Sequence, residues 1–183
     1  MNTDPSHRIR FYIQLFVSGS DVVAYLICQM YVGRLTYLND TSNMASLEKP
    51  ILVLIDDDED DTYLIGSVIR RDFARLEFIA MTDSLTALEE LKGLKNVPLL
   101  ILLDLHMPIK SGLEVLAELR SCPTYEQLPV AIISSSIDPE AKRQLRPLSV
   151  LAYFEKPTSL LETSFELERL LKQVTALTYV LPF

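Results

Sequence analysis

Apolar residues gather in short unbroken runs, Ile51-Leu-Val-Leu-Ile55, Leu99-Leu-Ile-Leu-Leu103 and Val130-Ala-Ile-Ile133. Each is too short for a helix and rich in branched residues, the mark of a strand buried on both faces. Between the runs the spacing changes to that of amphipathic helices. Ser111-Gly-Leu-Glu-Val-Leu-Ala-Glu-Leu-Arg120 is the clearest, with Leu113, Leu116 and Leu119 at three-residue intervals. In chain order the pattern predicts β1 (51–55), α1 (59–73), β2 (76–80), α2 (84–92), β3 (99–103), α3 (111–120), β4 (130–133), α4 (139–146), β5 (151–155) and α5 (159–174). Five βα units make an α/β fold, a doubly wound (βα)5 sandwich. Its five-stranded parallel sheet carries helices on both faces, because each crossover returns right-handedly over the sheet. No internal repeat or low-complexity tract interrupts it.

The first 43 residues differ in kind. They hold three basic and three acidic side chains, so the whole net charge of −8 belongs to residues 44–183. Asp21 is the only charge from Phe11 to Gly33, which invites a membrane-span reading. A carboxylate near the middle of a span costs about 2.5 to 3.5 kcal/mol, and Gln14, Ser18, Gly19, Ser20 and Gln29 dilute the stretch further. Val17-Ser-Gly-Ser-Asp21 also breaks the apolar run too early for a cleaved secretory signal. Residues 1–43 are therefore expected to be an N-terminal extension of uncertain status, accessory or translated from an upstream start, followed by one domain over 44–183. An acidic chain is a poor ligand for nucleic acid or an anionic membrane, since both are bound through Lys and Arg. Cys28 and Cys122 lie far apart and form neither a C-x-x-C pair nor a Cys/His cluster, so neither a disulfide framework nor a structural zinc site is indicated, and a reducing cytoplasm fits.

In parallel α/β sheets the site lies at the carboxyl ends of the strands. The residues there are Asp56-Asp57, Asp104, Ser134 and Lys156. Asp58 to Asp61 read as a solvated, helix-opening acidic run, favoured by the positive end of the helix dipole. Asp56 and Asp57 do not, because they leave a buried strand beside a third carboxylate, Asp104. Carboxylates gathered this closely repel unless a cation joins them. A hard ion such as Mg²⁺ takes one or two carboxylates, waters and phosphate oxygens, so the pattern points to phosphoryl chemistry. Asp104 is the candidate nucleophile, Ser134 a hydrogen-bond donor to a phosphoryl oxygen, and Lys156 a compact positive charge for the same oxygens.

Asp56-Asp57 after β1, Asp104-Leu-His-Met-Pro108 with Ser111-Gly112 after β3, Ser134 after β4 and Lys156-Pro157 after β5 resemble the receiver domain of two-component response regulators. The resemblance spans about residues 49–175. It implies a flavodoxin-like fold and phosphorylation of Asp104 by a sensor histidine kinase or histidine phosphotransfer protein. It further implies Mg²⁺ held by Asp57, Asp104 and the backbone carbonyl of His106, with Asp56 acting mainly through metal-bound water. A switch comes with it: Ser134 moves toward the phosphoryl group while Tyr153 turns inward and alters the α4-β5-α5 face, where a downstream protein or a second copy binds. Cys122-Pro-Thr-Tyr-Glu-Gln-Leu-Pro129 with Ser134-Ser-Ser136 is similar to stand-alone regulators paired with bacterial phytochromes and hybrid kinases. The few residues after α5 leave no room for an output domain, so signalling by protein binding or phosphate relay is expected.

Other readings stand beside these. His106 is a loop histidine or a modulator of acyl-phosphate hydrolysis; Ser135 or Ser136 is an alternative donor to Ser134; Tyr153 is a packed strand aromatic or a switch residue. A haloacid-dehalogenase-type phosphatase also uses an aspartate nucleophile, Ser/Thr, Lys and Mg²⁺. That class places a second aspartate two residues after the nucleophile, where this chain has His106. A receiver-fold adaptor that binds without phosphorylation is the remaining alternative, and intact Asp57, Asp104, Ser134 and Lys156 weigh against it.

Overall fold

The structure, a computed structural model, describes residues 49–136 and 139–180, with side chains described to Val174. The expectations for residues 1–43, Cys28 included, lie outside the described residues. The elements run β1 Ile51–Ile55, α1 Glu59–Asp72, β2 Glu77–Met81, α2 Ala87–Gly93, β3 Leu100–Leu103, α3 Gly112–Ser121, β4 Val130–Ser134, α4 Pro139–Leu145, a short 3-10 turn Arg146–Leu148, β5 Ala152–Glu155 and α5 Leu160–Val180. Lys49–Val174 form one compact unit. The strands make one parallel sheet in the order β2-β1-β3-β4-β5, which is the doubly wound (βα)5 fold that the sequence predicts.

Alternation along the strands sorts the core into two layers. Ile51, Val53, Ile55, Ile101, Leu103, Val130 and Ile132 pack with α2, α3 and α4 through Leu91, Val115, Leu116, Leu119 and Leu145. Leu52, Leu54, Leu100, Leu102, Ala131 and Ile133 are equally buried and face the other way. The buried stripes of α1 (Ile65, Val68, Ile69) and α5 (Leu167, Leu170, Leu171, Val174) cover that side. Gly66 lets α1 approach β2 closely, since a Cβ there would stand 2.8 Å from the Phe78 ring.

Two boundaries depart from the periodicity for local reasons. The second helix starts at Ala87 rather than 84, because Asp83 accepts the Leu85 N–H at 2.8 Å and holds the chain in an Asx turn. The last helix continues in its backbone to Val180, beyond the expected 174. Among the described residues no helix is long and apolar enough to cross a membrane.

Candidate functional site

Ladder hydrogen bonds fix the residues that follow each strand. The Asp56 N–H donates to the Met81 carbonyl at 3.1 Å, the Asp104 N–H to the Ile55 carbonyl at 3.0 Å, and the Lys156 N–H to the Ser134 carbonyl at 2.9 Å. Four side chains from four strand ends are thereby set on one edge of the sheet by backbone geometry. The β3–α3 connection is equally constrained. Gly112 donates its N–H to the Leu105 carbonyl at 3.1 Å, and a Cβ on it would fall 1.9 Å from the Asp104 carbonyl oxygen. Ser111 then caps α3 reciprocally with Glu114. At Ile109 the loop takes φ 70, with Lys110 N–H donating to Pro108 carbonyl across it, a strained γ-turn beside the site.

The carboxylates converge. Asp56, Asp57 and Asp104 each offer an oxygen, all within 4.8 Å of one another, with Asp56 and Asp104 buried and Asp57 exposed. Asp104 Oδ1 accepts the Leu105 N–H at 2.8 Å, and Asp56 Oδ1 accepts the Asp58 N–H at 2.9 Å. Lys156 Nζ stands 2.9 Å from Asp56 Oδ2 and 3.5 Å from Asp104 Oδ2. Burial pushes the Asp56 carboxyl up to about 6, with Asp104 adding to the rise while Lys156 and the Asp58 N–H oppose it. Burial alone would lower the Lys156 ammonium, but hydrogen bonds to Asp61 and Asp56 outweigh it and raise the group above its ordinary value.

This donor set fits a hard divalent cation. All three ligand atoms are carboxylate oxygens, without sulfur or imidazole, and one side faces water where further oxygen ligands can join. A single ammonium among several carboxylates leaves charge that such an ion neutralises.

Ser134 sits at the end of β4 fully buried, and its Oγ has no hydrogen-bond partner. That is costly for a hydroxyl unless a ligand supplies one. Ser135 and Ser136 are exposed, so Ser134 is the serine that lines the interior. The His106 ring is exposed and its Nε2 lies 3.2 Å from the Ser136 carbonyl. A carbonyl only accepts, so the contact requires a proton on Nε2. Tyr153 is half-buried against the core, and burial raises its phenol.

Reading Asp58 to Asp61 as a uniform solvated run is corrected here. Asp58 is the N-cap of α1, accepting from the Asp60 and Asp61 N–H groups, but the Asp61 carboxylate turns inward and makes the shortest contact to Lys156, 2.7 Å. The clue lay in helical spacing: Asp61 is four residues before Ile65 and seven before Val68, on the stripe that faces the sheet.

Comparison with known proteins agrees with this geometry. The model of the response regulator receiver domain family matches residues 52–166. Response regulator Rcp1 of Synechocystis sp. is 30% identical over 128 residues, covering 67% of this chain and 84% of that protein. The crystal structure of the Mn²⁺-bound form of Rcp1 aligns with a TM-score of 0.55 at 29% identity, covering 69% of this chain and 90% of that one. The phosphorylated cyanobacterial phytochrome response regulator RcpA aligns with a TM-score of 0.57 at 29% identity, over 71% of this chain and 91% of that one. Fold, strand-end carboxylates and sequence similarity together place the chain in the response regulator receiver domain family.

Proposed function

We propose that the chain is a phosphorylation-controlled signalling switch in which Asp104 accepts a phosphoryl group from a sensor histidine kinase or a histidine phosphotransfer protein. The observation that carries this reading is the meeting of Asp56, Asp57 and Asp104 within 4.8 Å, with the Lys156 ammonium against two of them. As a receiver domain the chain is confined to chemistry on its own side chain rather than turnover of a separate substrate.

In this mechanism an Asp104 carboxylate oxygen forms a bond to phosphorus as the phosphorus–nitrogen bond of phosphohistidine breaks, and the electron pair leaves with the imidazole. Asp57, Asp104 and the His106 carbonyl would hold Mg²⁺, with Asp56 acting through its water ligands; the bound ion would supply charge for the phosphoryl oxygens. Lys156 adds a compact positive charge there. Ser134 gives its unpartnered buried hydroxyl to one phosphoryl oxygen. Movement of Ser134 and Tyr153 then changes the α4-β5-α5 face, to which a downstream protein or a second copy binds. His106 and Ser136, joined across the site mouth, modulate the lifetime of the acyl phosphate. Similarity to response regulator Rcp1 and to a phosphorylated cyanobacterial phytochrome response regulator supports phosphorylation of the chain, and the setting proposed with it is the cytoplasm. Residues 44–183 are the receiver and 1–43 an extension.

The test is to incubate the full chain with Mg²⁺ and a small phosphodonor and to measure intact mass. One added phosphoryl group, lost in Asp104→Asn, is the expected result. Failure with every donor and kinase would leave a phosphorylation-independent adaptor.

A further inference from the structure

One of the carboxylates that share Lys156 lies outside the cation cluster. The lysine Nζ lies 2.7 Å from Asp61 Oδ2, 2.9 Å from Asp56 Oδ2 and 3.5 Å from Asp104 Oδ2. The two short contacts are ordinary charged hydrogen-bond distances, and the third, to Asp104, is not. Asp61 is outside the group of carboxylates that meet within 4.8 Å. It sits on the first turn of α1, whose backbone is fixed there by the Asp58 cap and whose Ile65 and Val68 are buried against the sheet. The ammonium is therefore held more closely by a carboxylate on α1 than by Asp104, the residue it must serve.

We propose that Asp61 is a positioning residue that holds the Lys156 ammonium back from Asp104, so that the lysine engages a phosphoryl group only by giving up its shortest ion pair. This rests on the reading of Asp104 as phosphoacceptor. During transfer from an acyl phosphate, the Asp104 oxygen bonds to phosphorus, the phosphorus–oxygen bond to the donor breaks, and the electron pair departs with the donor's carboxylate. Negative charge spreads over the equatorial oxygens, where an ammonium is most useful. An ammonium divided between Asp61 and those oxygens stabilises them less than a free one. Asp61→Asn keeps the shape and removes the competing charge.

Simple relief of repulsion toward an anionic donor would also speed transfer, and Asp60→Asn controls for it. Asp60 is an exposed neighbour on the same turn, and its removal changes net charge equally without touching the Lys156 ion pairs. With the full chain, Mg²⁺ and acetyl phosphate, Asp61→Asn is expected to form adduct about fivefold faster than wild type. Asp60→Asn stays near the wild-type rate, Asp61→Glu restores it, and the acceleration vanishes in a Lys156→Ala background. Equal rates for Asp61→Asn and Asp60→Asn, a slower Asp61→Asn, or acceleration that survives Lys156→Ala would each overturn the proposal. Heteronuclear NMR of the lysine ammonium groups tests the tether without phosphorylation. A protected Lys156 resonance should shift in Asp61→Asn and stay put in Asp60→Asn, and an unmoved resonance refutes the tether. Absence of any adduct on the wild type would instead refute the phosphoacceptor reading, leaving the resonance to decide on Asp61.

Discussion

Replacing Gly112 with alanine tests how the β3–α3 connection sets Asp104. The added Cβ would lie 1.9 Å from the Asp104 carbonyl oxygen and 2.9 Å from the Leu105 Cα, whereas real Cβ atoms essentially never approach within 3.0 Å. The obstructing atoms are all backbone, so no flexible side chain can swing aside. Asp104 and α3 must part by the difference, 1.1 Å. That movement stretches the 3.1 Å hydrogen bond from Gly112 to Leu105. Overpacking of this kind costs about 1 to 3 kcal/mol and a lost hydrogen bond about 1 kcal/mol. Against this, alanine is favoured over glycine in a helix by roughly 0.5 to 1 kcal/mol, so the net expectation is a loss on the order of 2 kcal/mol. The same displacement shifts the Asp104 carboxylate relative to Asp56 and Asp57. Metal–ligand distances tolerate only about 0.2 Å, so Mg²⁺ affinity should fall at least about tenfold. Urea unfolding followed by circular dichroism gives the first quantity and titration calorimetry with Mg²⁺ the second. A variant as stable as wild type with undiminished Mg²⁺ affinity would refute the argument that backbone crowding at Gly112 sets the aspartate.

Asp56 gives a pH dependence to the metal-free protein. Its carboxyl is raised from 3.8 to about 6 by burial, so the native state holds a proton that the unfolded chain has released. Its contribution is present in full below about pH 4 and is lost as pH rises through 6, on the order of 2 kcal/mol after allowance for solvent screening. Measured with chelator, the stability of wild type relative to Asp56→Asn should fall over that window; a constant difference would count against the burial argument. Arg120 fastens two connecting segments, one before β4 and one before β5, at the other end of the sheet. Its Nε donates to the Leu148 carbonyl at 2.7 Å, Nη1 to Tyr125 and Leu128 at 3.1 Å each, and Nη2 to Ser149 at 3.2 Å. Arg120→Met keeps the aliphatic stem and loses all four, an expected cost of about 2 to 4 kcal/mol in urea unfolding, while a change below 0.5 kcal/mol would show the bonds to be replaceable by water.

The three inner strands were legible because burial on both faces leaves no room for polar residues, and an uninterrupted run such as Leu100–Leu103 has no competing interpretation. β2 is less plainly written. It is an edge strand, and of its five residues only Met81 is buried, so its register with β1, Ile51 to Glu77 through Ile55 to Met81, had to come from pairing. The start of α2 was hidden because an Asx turn depends on one side-chain hydrogen bond and leaves no periodic trace. Site residues were legible to the extent that strand ends determine them: Asp56, Asp57, Asp104, Ser134 and Lys156 are each the first or second residue past, or the last residue of, a strand. Asp61 was not, because it reaches the site from a helix. A run of six acids looks homogeneous until its register against Ile65 and Val68 is counted. Arg120 gave no warning either, since a basic residue in a helix's last turn already has a sufficient explanation in the helix dipole.

Charge balance ties these observations together. When ionised, Asp56, Asp57, Asp61 and Asp104 set four negative charges around the single positive charge of Lys156. Such a site repels any anionic phosphodonor, and burial answers only in part. With its carboxyl at about 6, Asp56 is still largely ionised at neutral pH. A divalent ion would remove two of the three excess charges, and under the proposed function this would make cation binding a condition for phosphoryl transfer rather than an accompaniment to it. What then remains to be divided is the charge of Lys156. A carboxylate inside the cation cluster would lose its hold on the lysine once the ion arrived, because the ion would draw on the same oxygens. Asp61 lies outside that cluster and 2.7 Å from Nζ, so under the proposed function it would keep its hold with the ion bound, and the lysine would be surrendered to the phosphoryl oxygens and not to the metal.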